Sequence, residues 1–234
     1  MAISTNPLAW LRSVQPRRAI ALLLLLPLTV GAQTVRDLWL SMPPSLAPYL
    51  STSLRTQCLD FYDMHTDAQT DNALKGKSRI DTLTSTFLAA TLSKAHTLQM
   101  KLLPASGSGL GSYMVSGSSS SLSSCDSVLC VVRSWDGPKR DSEVQLFDRQ
   151  WKPLQAPLTF SADSFVCRPD TMSEERFSRL VAMLDPIMFS VSLSPVGNVL
   201  LVKLSPVVPN PEDEKAIEQI LVQRKLKWDG KTFK

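Results

Sequence analysis

Two different spacings of apolar residues divide this chain into helical and extended segments. Leu54, Cys58 and Phe61 follow one another at offsets of four and three, so the sequence predicts an amphipathic helix with these side chains on its buried face. Three prolines between residues 42 and 49 interrupt the preceding segment. Because proline ends or kinks a helix, residues 35–40 and 45–50 are predicted to form short helical turns.

Farther along the chain the apolar spacing changes to two. Leu98, Met100 and Leu102 alternate with Gln99 and Lys101, which predicts a half-buried antiparallel strand over residues 97–103. Residues 127–135, SVLCVVRSW, form a largely apolar run that is typical of a central strand buried on both faces.

Turn residues join further strands into hairpins. Gly137 and Pro138 separate the apolar run from an alternating strand at residues 142–148. The turn SPVGN joins an alternating strand at residues 187–193 to another at 199–204. Two helices interrupt the strands: Ser173 is predicted to cap the first, and Asn210 followed by Pro211 opens the second.

Hairpin-joined strands with a few flanking helices indicate the α+β class. We expect a curved antiparallel β-sheet of about six to eight strands, with helices packed on one face. The serine-rich tract at residues 116–124 is predicted to be a flexible loop between strands and not a domain boundary.

The N-terminal segment has the pattern of a secretory signal peptide. Three arginines and no acidic residue precede an apolar run at residues 19–30, and small residues follow it. The run is shorter than the roughly 20 apolar residues of a membrane-spanning helix. We therefore predict cleavage after Ala32, a single α+β domain at residues 33–234, and export to the periplasm or cell envelope. No cysteine lies at the new terminus, so a lipid anchor is not predicted.

Removal of this segment changes the interpretation of the charge. The full chain of 234 residues carries a net charge of +4, but loss of Arg12, Arg17 and Arg18 leaves 22 basic against 21 acidic residues. This balance does not indicate a nucleic-acid partner, and no membrane span remains after cleavage. The basic cluster QRKLKW at residues 223–228 is interpreted as the polar face of a strand.

Four cysteines remain in the exported chain: Cys58, Cys125, Cys130 and Cys167. They allow three disulfide pairings, and free thiols are the slightly favoured alternative. Cys58 and Cys130 lie in apolar runs and are predicted to be buried, whereas Cys125 and Cys167 are the better candidates for exposure. The sequence has no Cys-x-x-Cys pair and its two histidines are isolated, which disfavours zinc.

Polar residues near the first predicted helix offer the best candidates for chemistry. His65 with Asp63 or Asp67 would provide a general base and its partner, and residues 63–72 have oxygen ligands at alternating positions. The stretch lacks the glycine and closing glutamate of a calcium loop, and no nucleophile accompanies the histidine. His96 is interpreted as a surface residue. The sequence therefore predicts no catalytic, metal or cofactor-binding residue, and no cofactor.

The glycine- and serine-containing stretch at residues 107–117, GSGLGSYMVSG, matches neither a Gly-x-Ser-x-Gly nucleophile turn nor a Gly-x-Gly-x-x-Gly dinucleotide loop. It is interpreted as a connection between strands.

Several longer motifs resemble one family. They are SMPPSLAPYLSTSLRTQCLDFYDM, LTSTFLAATLSKAHTLQMKLLP, DSEVQLFDRQWKPL and KLKWDGKTF. Together they are similar to a family of uncharacterised secreted proteins of Bacteroidales known as a domain of unknown function, DUF3256. The resemblance covers nearly the whole exported chain, implies export and a single domain, and transfers no catalytic residue. The Pro43-Pro44 pair and the long serine tract depart from the usual pattern of the family.

Two functional classes follow from these observations. The first is a non-enzymatic periplasmic or envelope-accessory protein that binds another macromolecule, a protein or envelope partner. The second is a hydrolase whose site is assembled only by the fold, from a serine, His65 and the acidic residues at 60–71. The first is favoured because no convergent polar constellation is visible in the sequence.

Overall fold

The computed structural model describes residues 33–105, 114–115, 127–155, 158, 160–208 and 210–234. The predicted signal peptide, the serine-rich loop at 116–124 and Cys125 lie outside these residues. Residues Gln33–Lys234 group into one compact unit.

A large antiparallel sheet dominates the described part of the chain. Its eight strands are β1 (Thr70–Asp71), β2 (Lys77–Leu83), β3 (Phe87–Ser93), β4 (His96–Pro104), β5 (Met114–Val115), β6 (Ser127–Asp136), β7 (Arg140–Phe147) and β8 (Pro153–Gln155). They lie in the order β1-β2-β3-β4-β6-β7-β8-β5, and neighbouring strands are antiparallel. The predicted α+β class and sheet size are confirmed.

A second, three-stranded sheet contains β9 (Phe189–Leu193), β10 (Val199–Leu204) and β11 (Arg224–Lys227), in the order β11-β10-β9. The predicted SPVGN hairpin is confirmed by the antiparallel pairing of β9 with β10, and Gly197 adopts a positive φ of 74° in its turn. Ile187 does not belong to β9 and is exposed. The hairpin pattern did not reveal that these strands form a separate sheet, because it specifies only local pairing.

The four α-helices of the described residues have side-chain caps at their N-termini. They are α1 (Val35–Ser41), α2 (Thr52–Asp63), α3 (Glu174–Ala182) and α4 (Pro211–Glu218), and a 3₁₀ turn at Pro44–Leu46 lies between the first two. The side chain of Ser173 accepts a hydrogen bond from the Arg176 amide, and that of Asn210 accepts one from the Glu212 amide. Both predicted caps are confirmed.

The buried face of α2 differs from the predicted one. Arg55, Cys58 and Leu59 are buried, whereas Phe61 is only partly buried. Arg55 is inside because its guanidinium donates to the carbonyl oxygens of Trp39 and Met42 at the end of α1. The Arg55 guanidinium thus donates hydrogen bonds to carbonyl oxygens that have no partner within the helix. The spacing of apolar residues cannot predict this role.

The large sheet is covered on both faces. Along β6, Leu129 and Val131 belong to the core beneath α1 and α2, and Val128, Cys130 and Val132 belong to the core beneath the small sheet. The predicted burial of this strand on both faces is confirmed.

The prediction that β4 is only half-buried is wrong. Lys101 is 3% exposed, and its ammonium donates to carbonyl oxygens of the β9–β10 turn, including that of Ser194 at 2.6 Å. The side of β4 that carries Gln99 and Lys101 faces the small sheet rather than solvent.

None of the helices in the described residues has the length and apolar content needed to cross a bilayer.

Candidate functional site

The groove at the C-terminal end of α2 contains two of the polar residues that the sequence singled out, His65 and Asp67. It has a volume of about 370 Å³, and its lining includes His65, Asp67, Arg79 and Asp81. Asp63 does not pair with His65, because it forms a bidentate ion pair with Arg36 that holds the pKa of its carboxyl below the ordinary value. Of the two predicted partners of His65, the fold therefore brings only Asp67 into the same groove.

His65 itself ends the helix. Its backbone has a φ of +52°, its amide donates to the Tyr62 carbonyl, and the Thr66 amide donates to the Phe61 carbonyl. These two bonds define a Schellman motif with His65 at the position that glycine usually occupies. The position of His65 is thus accounted for by the helix end.

Cys58 also lines this groove, so the groove contains a cysteine and a histidine, as a cysteine hydrolase site does. Cys58 is 2% exposed, and burial raises the pKa of its thiol. A nucleophilic cysteine needs the opposite shift and access to solvent. This geometry does not favour a cysteine nucleophile in the groove, and it leaves the serine-based hydrolase alternative untested.

The described cysteines are free thiols: Cys58 and Cys130 are buried and Cys167 is exposed, as their sequence contexts predict. Within the described ranges, no three side chains of the His, Cys, Asp or Glu type lie close enough together to hold a metal ion.

A second polar cluster, which we call the aromatic corner, consists of Tyr49, His96, Arg133 and Trp135. His96 and Trp135 are directly paired across β4 and β6, and their rings stack with centroids 5.1 Å apart and planes 9° from parallel. Arg133, two residues earlier on β6, places its guanidinium carbon 5.3 Å from the centre of the Trp135 ring. The Tyr49 hydroxyl and His96 Nδ1 share a hydrogen bond.

Neighbouring residues hold the corner in place. Arg133 donates to Glu143 of β7 at 2.6 Å, and the two residues are directly paired across the strands. Tyr49 belongs to the connection between the 3₁₀ turn and α2, so the hydrogen bond to His96 joins that connection to the sheet. Trp135 remains 39% exposed, and the corner therefore presents an indole on a preorganised support.

His96 is the most unusual member of the corner. It is 7% exposed, and burial, reinforced by the positive charge of Arg133, lowers its pKa to about 4. Burial also raises the pKa of Tyr49 to about 12. The His96 Nε2 atom is buried and has no hydrogen-bond partner among the described residues. An unsatisfied buried nitrogen costs free energy, and Arg55 Nε is likewise buried without a partner among the described residues.

The interpretation of His96 as a surface residue is wrong, and the sequence contained the signal that corrects it. His96 precedes Leu98 by two residues, and in a strand such residues share a face. Arg133 and Trp135 are likewise in phase with Leu129 and Val131. Only the cross-strand register, however, brings His96 opposite Trp135.

The fold and the two polar clusters describe an α+β protein with an eight-stranded sheet that is covered on both faces. Its sequence matches the model of the family described as Protein of unknown function (DUF3256) over residues 27–117 and 118–233. The chain belongs to this family, which confirms the resemblance seen in its motifs. The two matched segments meet inside the serine-rich tract.

The fold is similar to a solved structure, that of a domain of an uncharacterized protein from Porphyromonas gingivalis W83. The two chains are 23% identical with a TM-score of 0.62, and the match covers 86% of this chain and 98% of that one. At this identity the likeness shows the fold alone. No curated protein matches the sequence.

Proposed function

We propose that the protein is exported to the periplasm or cell envelope and acts there as a non-enzymatic binding or envelope-accessory protein. The observation that carries this proposal is the aromatic corner, where a partly exposed tryptophan lies on a support of buried and ion-paired side chains. Tryptophan, tyrosine and arginine are the residues most enriched at the energetic centres of protein interfaces.

The partner class that fits this surface is a protein. The corner presents a partly exposed indole ring beside the paired charges of Arg133 and Glu143. A flat aromatic anchor with a polar rim is the common arrangement of protein–protein contacts. Because the charges are already paired, the surface favours a partner of mixed polarity rather than a strongly charged one.

Affinity capture from the native envelope tests this proposal. The wild type is compared with Trp135→Ala and with Val196→Ala, a control at an apolar residue that is 83% exposed in the β9–β10 turn. We expect one defined protein to be retained by the wild type and by the control, and reduced about tenfold or more by Trp135→Ala.

The captured protein is then purified, and its affinity for the three forms is measured by calorimetry. Equal affinity for all three forms would remove the aromatic corner as the binding surface. Processing or turnover of the captured partner would instead support the enzyme alternative.

Export is tested separately by the intact mass of the protein from envelope fractions. The expected mass is that of a chain beginning at Gln33, because small residues follow the apolar run at 19–30. Retention of Met1 would contradict the signal-peptide prediction and leave the test of the aromatic corner unaffected.

A further inference from the structure

An apolar cleft lies between β11, an edge strand of the small sheet, and residues 160–165. Its volume is about 410 Å³, within the range of small-molecule sites. The apolar part of its lining consists of Leu158, Phe160, Phe165, Leu226 and Phe233. The polar part consists of two serines, Ser161 and Ser164, and Arg224.

Packed aromatic rings form the inner wall of the cleft. The Phe160 and Phe165 rings each lie 5.5 Å, centroid to centroid, from the ring of Phe189 at the start of β9. Phe165 and Phe233 are buried. This wall is fixed by the core and has no charged side chain, so the cleft interior suits a hydrocarbon chain.

Arg224 supplies a single cation at the rim. It pairs with the buried Val202 on β10, and Leu226 pairs with the buried Leu200, so both side chains lie on the inner face of β11. The Arg224 Nε donates to the Ser164 carbonyl at 2.8 Å, which fixes one side of the guanidinium. None of the ion pairs among the described residues involves Arg224.

An inward-facing charge can also protect the edge strand of a sheet from pairing with another chain. That role would not require the adjoining apolar cleft, whereas a ligand role uses both features. A guanidinium held on one side, with its remaining donors available, is suited to bind a carboxylate.

We propose that this cleft binds an anionic amphiphile of the fatty-acid class, with its carboxylate on Arg224 and its alkyl chain along the phenylalanines. The charge of the rim and the apolar interior match the two ends of such a molecule. The site is separate from the aromatic corner, so either proposal can fail without the other.

Calorimetric titration with octanoate, decanoate and laurate, each below its micelle concentration, tests the proposal on the exported chain. Affinity is expected to rise by up to about fourfold for each methylene that enters the cleft. Arg224→Gln is expected to weaken laurate binding about tenfold or more, because hydrogen bonds to a charged group are lost.

Lys225→Gln is the matched control. It removes the same charge from the next residue of β11, which is exposed and points away from the cleft because neighbouring side chains of a strand alternate. Laurate should bind Lys225→Gln as it binds the wild type, and dodecanol should bind the wild type and Arg224→Gln equally. Thermal melts verify that both variants are folded.

Three outcomes would overturn the proposal. They are no saturable binding of laurate to the wild type, equal weakening by the two charge variants, and affinity that does not depend on chain length.

Discussion

The two faces of the large sheet bury polar side chains in different ways. Beneath the helices, His96 is neutral, stacks on Trp135 and leaves one nitrogen unpaired. Beneath the small sheet, polar side chains of the large sheet meet backbone groups: Gln99 Oε1 accepts from the Leu193 amide at 2.7 Å, and Lys101 donates to the β9–β10 turn. The second face uses its polar groups to hold another sheet, whereas the first buries His96 against a partly exposed indole and leaves its Nε2 atom, like Arg55 Nε of α2, without a hydrogen-bond partner among the described residues. This difference is the reason that we place the candidate partner surface on the first face.

The largest effect is expected from the apolar core beneath the helices. Trp39 is fully buried, and its indole nitrogen donates to the Arg55 carbonyl at 3.0 Å. Trp39→Ala should therefore lower the free energy of unfolding by about 3–5 kcal/mol, through the cavity and the unpaired carbonyl. Denaturant unfolding measures this, with Val196→Ala as an exposed control expected to change it by about 0.5 kcal/mol or less. A loss below about 1 kcal/mol would show that α1 is not part of the cooperative core.

Lowering the pH should reduce the free energy of unfolding through protonation of His96 in the aromatic corner. His96 has a pKa of about 4 in the folded state and about 6.5 when unfolded, so the unfolded chain takes up the proton first. The contribution of the neutral His96 side chain to the free energy of unfolding is fully present above pH 6.5 and declines as the pH falls to 4. It amounts at most to about 3 kcal/mol, because each pKa unit corresponds to about 1.36 kcal/mol. Unfolding measured between pH 7 and 4 should show this slope in the wild type. His96→Phe, which keeps an aromatic ring against Trp135, should have a shallower slope; equal slopes would contradict the burial of a neutral histidine.

On the opposite face, Lys101→Met tests whether the ammonium holds the two sheets together. The methionine matches the length of the lysine stem but leaves the carbonyls of the β9–β10 turn without their donor. We expect the free energy of unfolding to fall by about 1–3 kcal/mol. This is less than the sum of the hydrogen bonds that the ammonium donates, because burying the ammonium itself costs desolvation free energy. Burial lowers the pKa of Lys101, in keeping with that cost. Lys225→Met on the exposed side of β11 is the control, and a neutral or stabilising Lys101→Met would mean that the Lys101 ammonium does not hold the small sheet on the large one.

The sequence correctly predicted local structure, but it did not predict which faces of the strands are covered by other parts of the chain. The caps at Ser173 and Asn210 and the β9–β10 hairpin depend on contacts between neighbouring residues, which the sequence contains directly. Lys101 and His96 were misplaced because alternation identifies which side chains share a face but not what lies above it. The cation at the end of α1 and the stack on Trp135 depend on contacts between residues distant in sequence.

The smallest effect concerns the helix end that first resembled a site. His65 has a positive φ, which costs an L-residue with a Cβ atom roughly 1 kcal/mol relative to glycine. If the residue serves only to end α2, His65→Gly should raise the free energy of unfolding by about 0.5–1 kcal/mol, although glycine also gains entropy in the unfolded chain. His65→Ala keeps the Cβ atom and should leave stability within about 0.5 kcal/mol of the wild type. Denaturant unfolding of the three proteins distinguishes these outcomes. A marked loss of stability in both variants would show that the imidazole makes a contact within the groove, and would return His65 and Asp67 to the list of candidate functional residues.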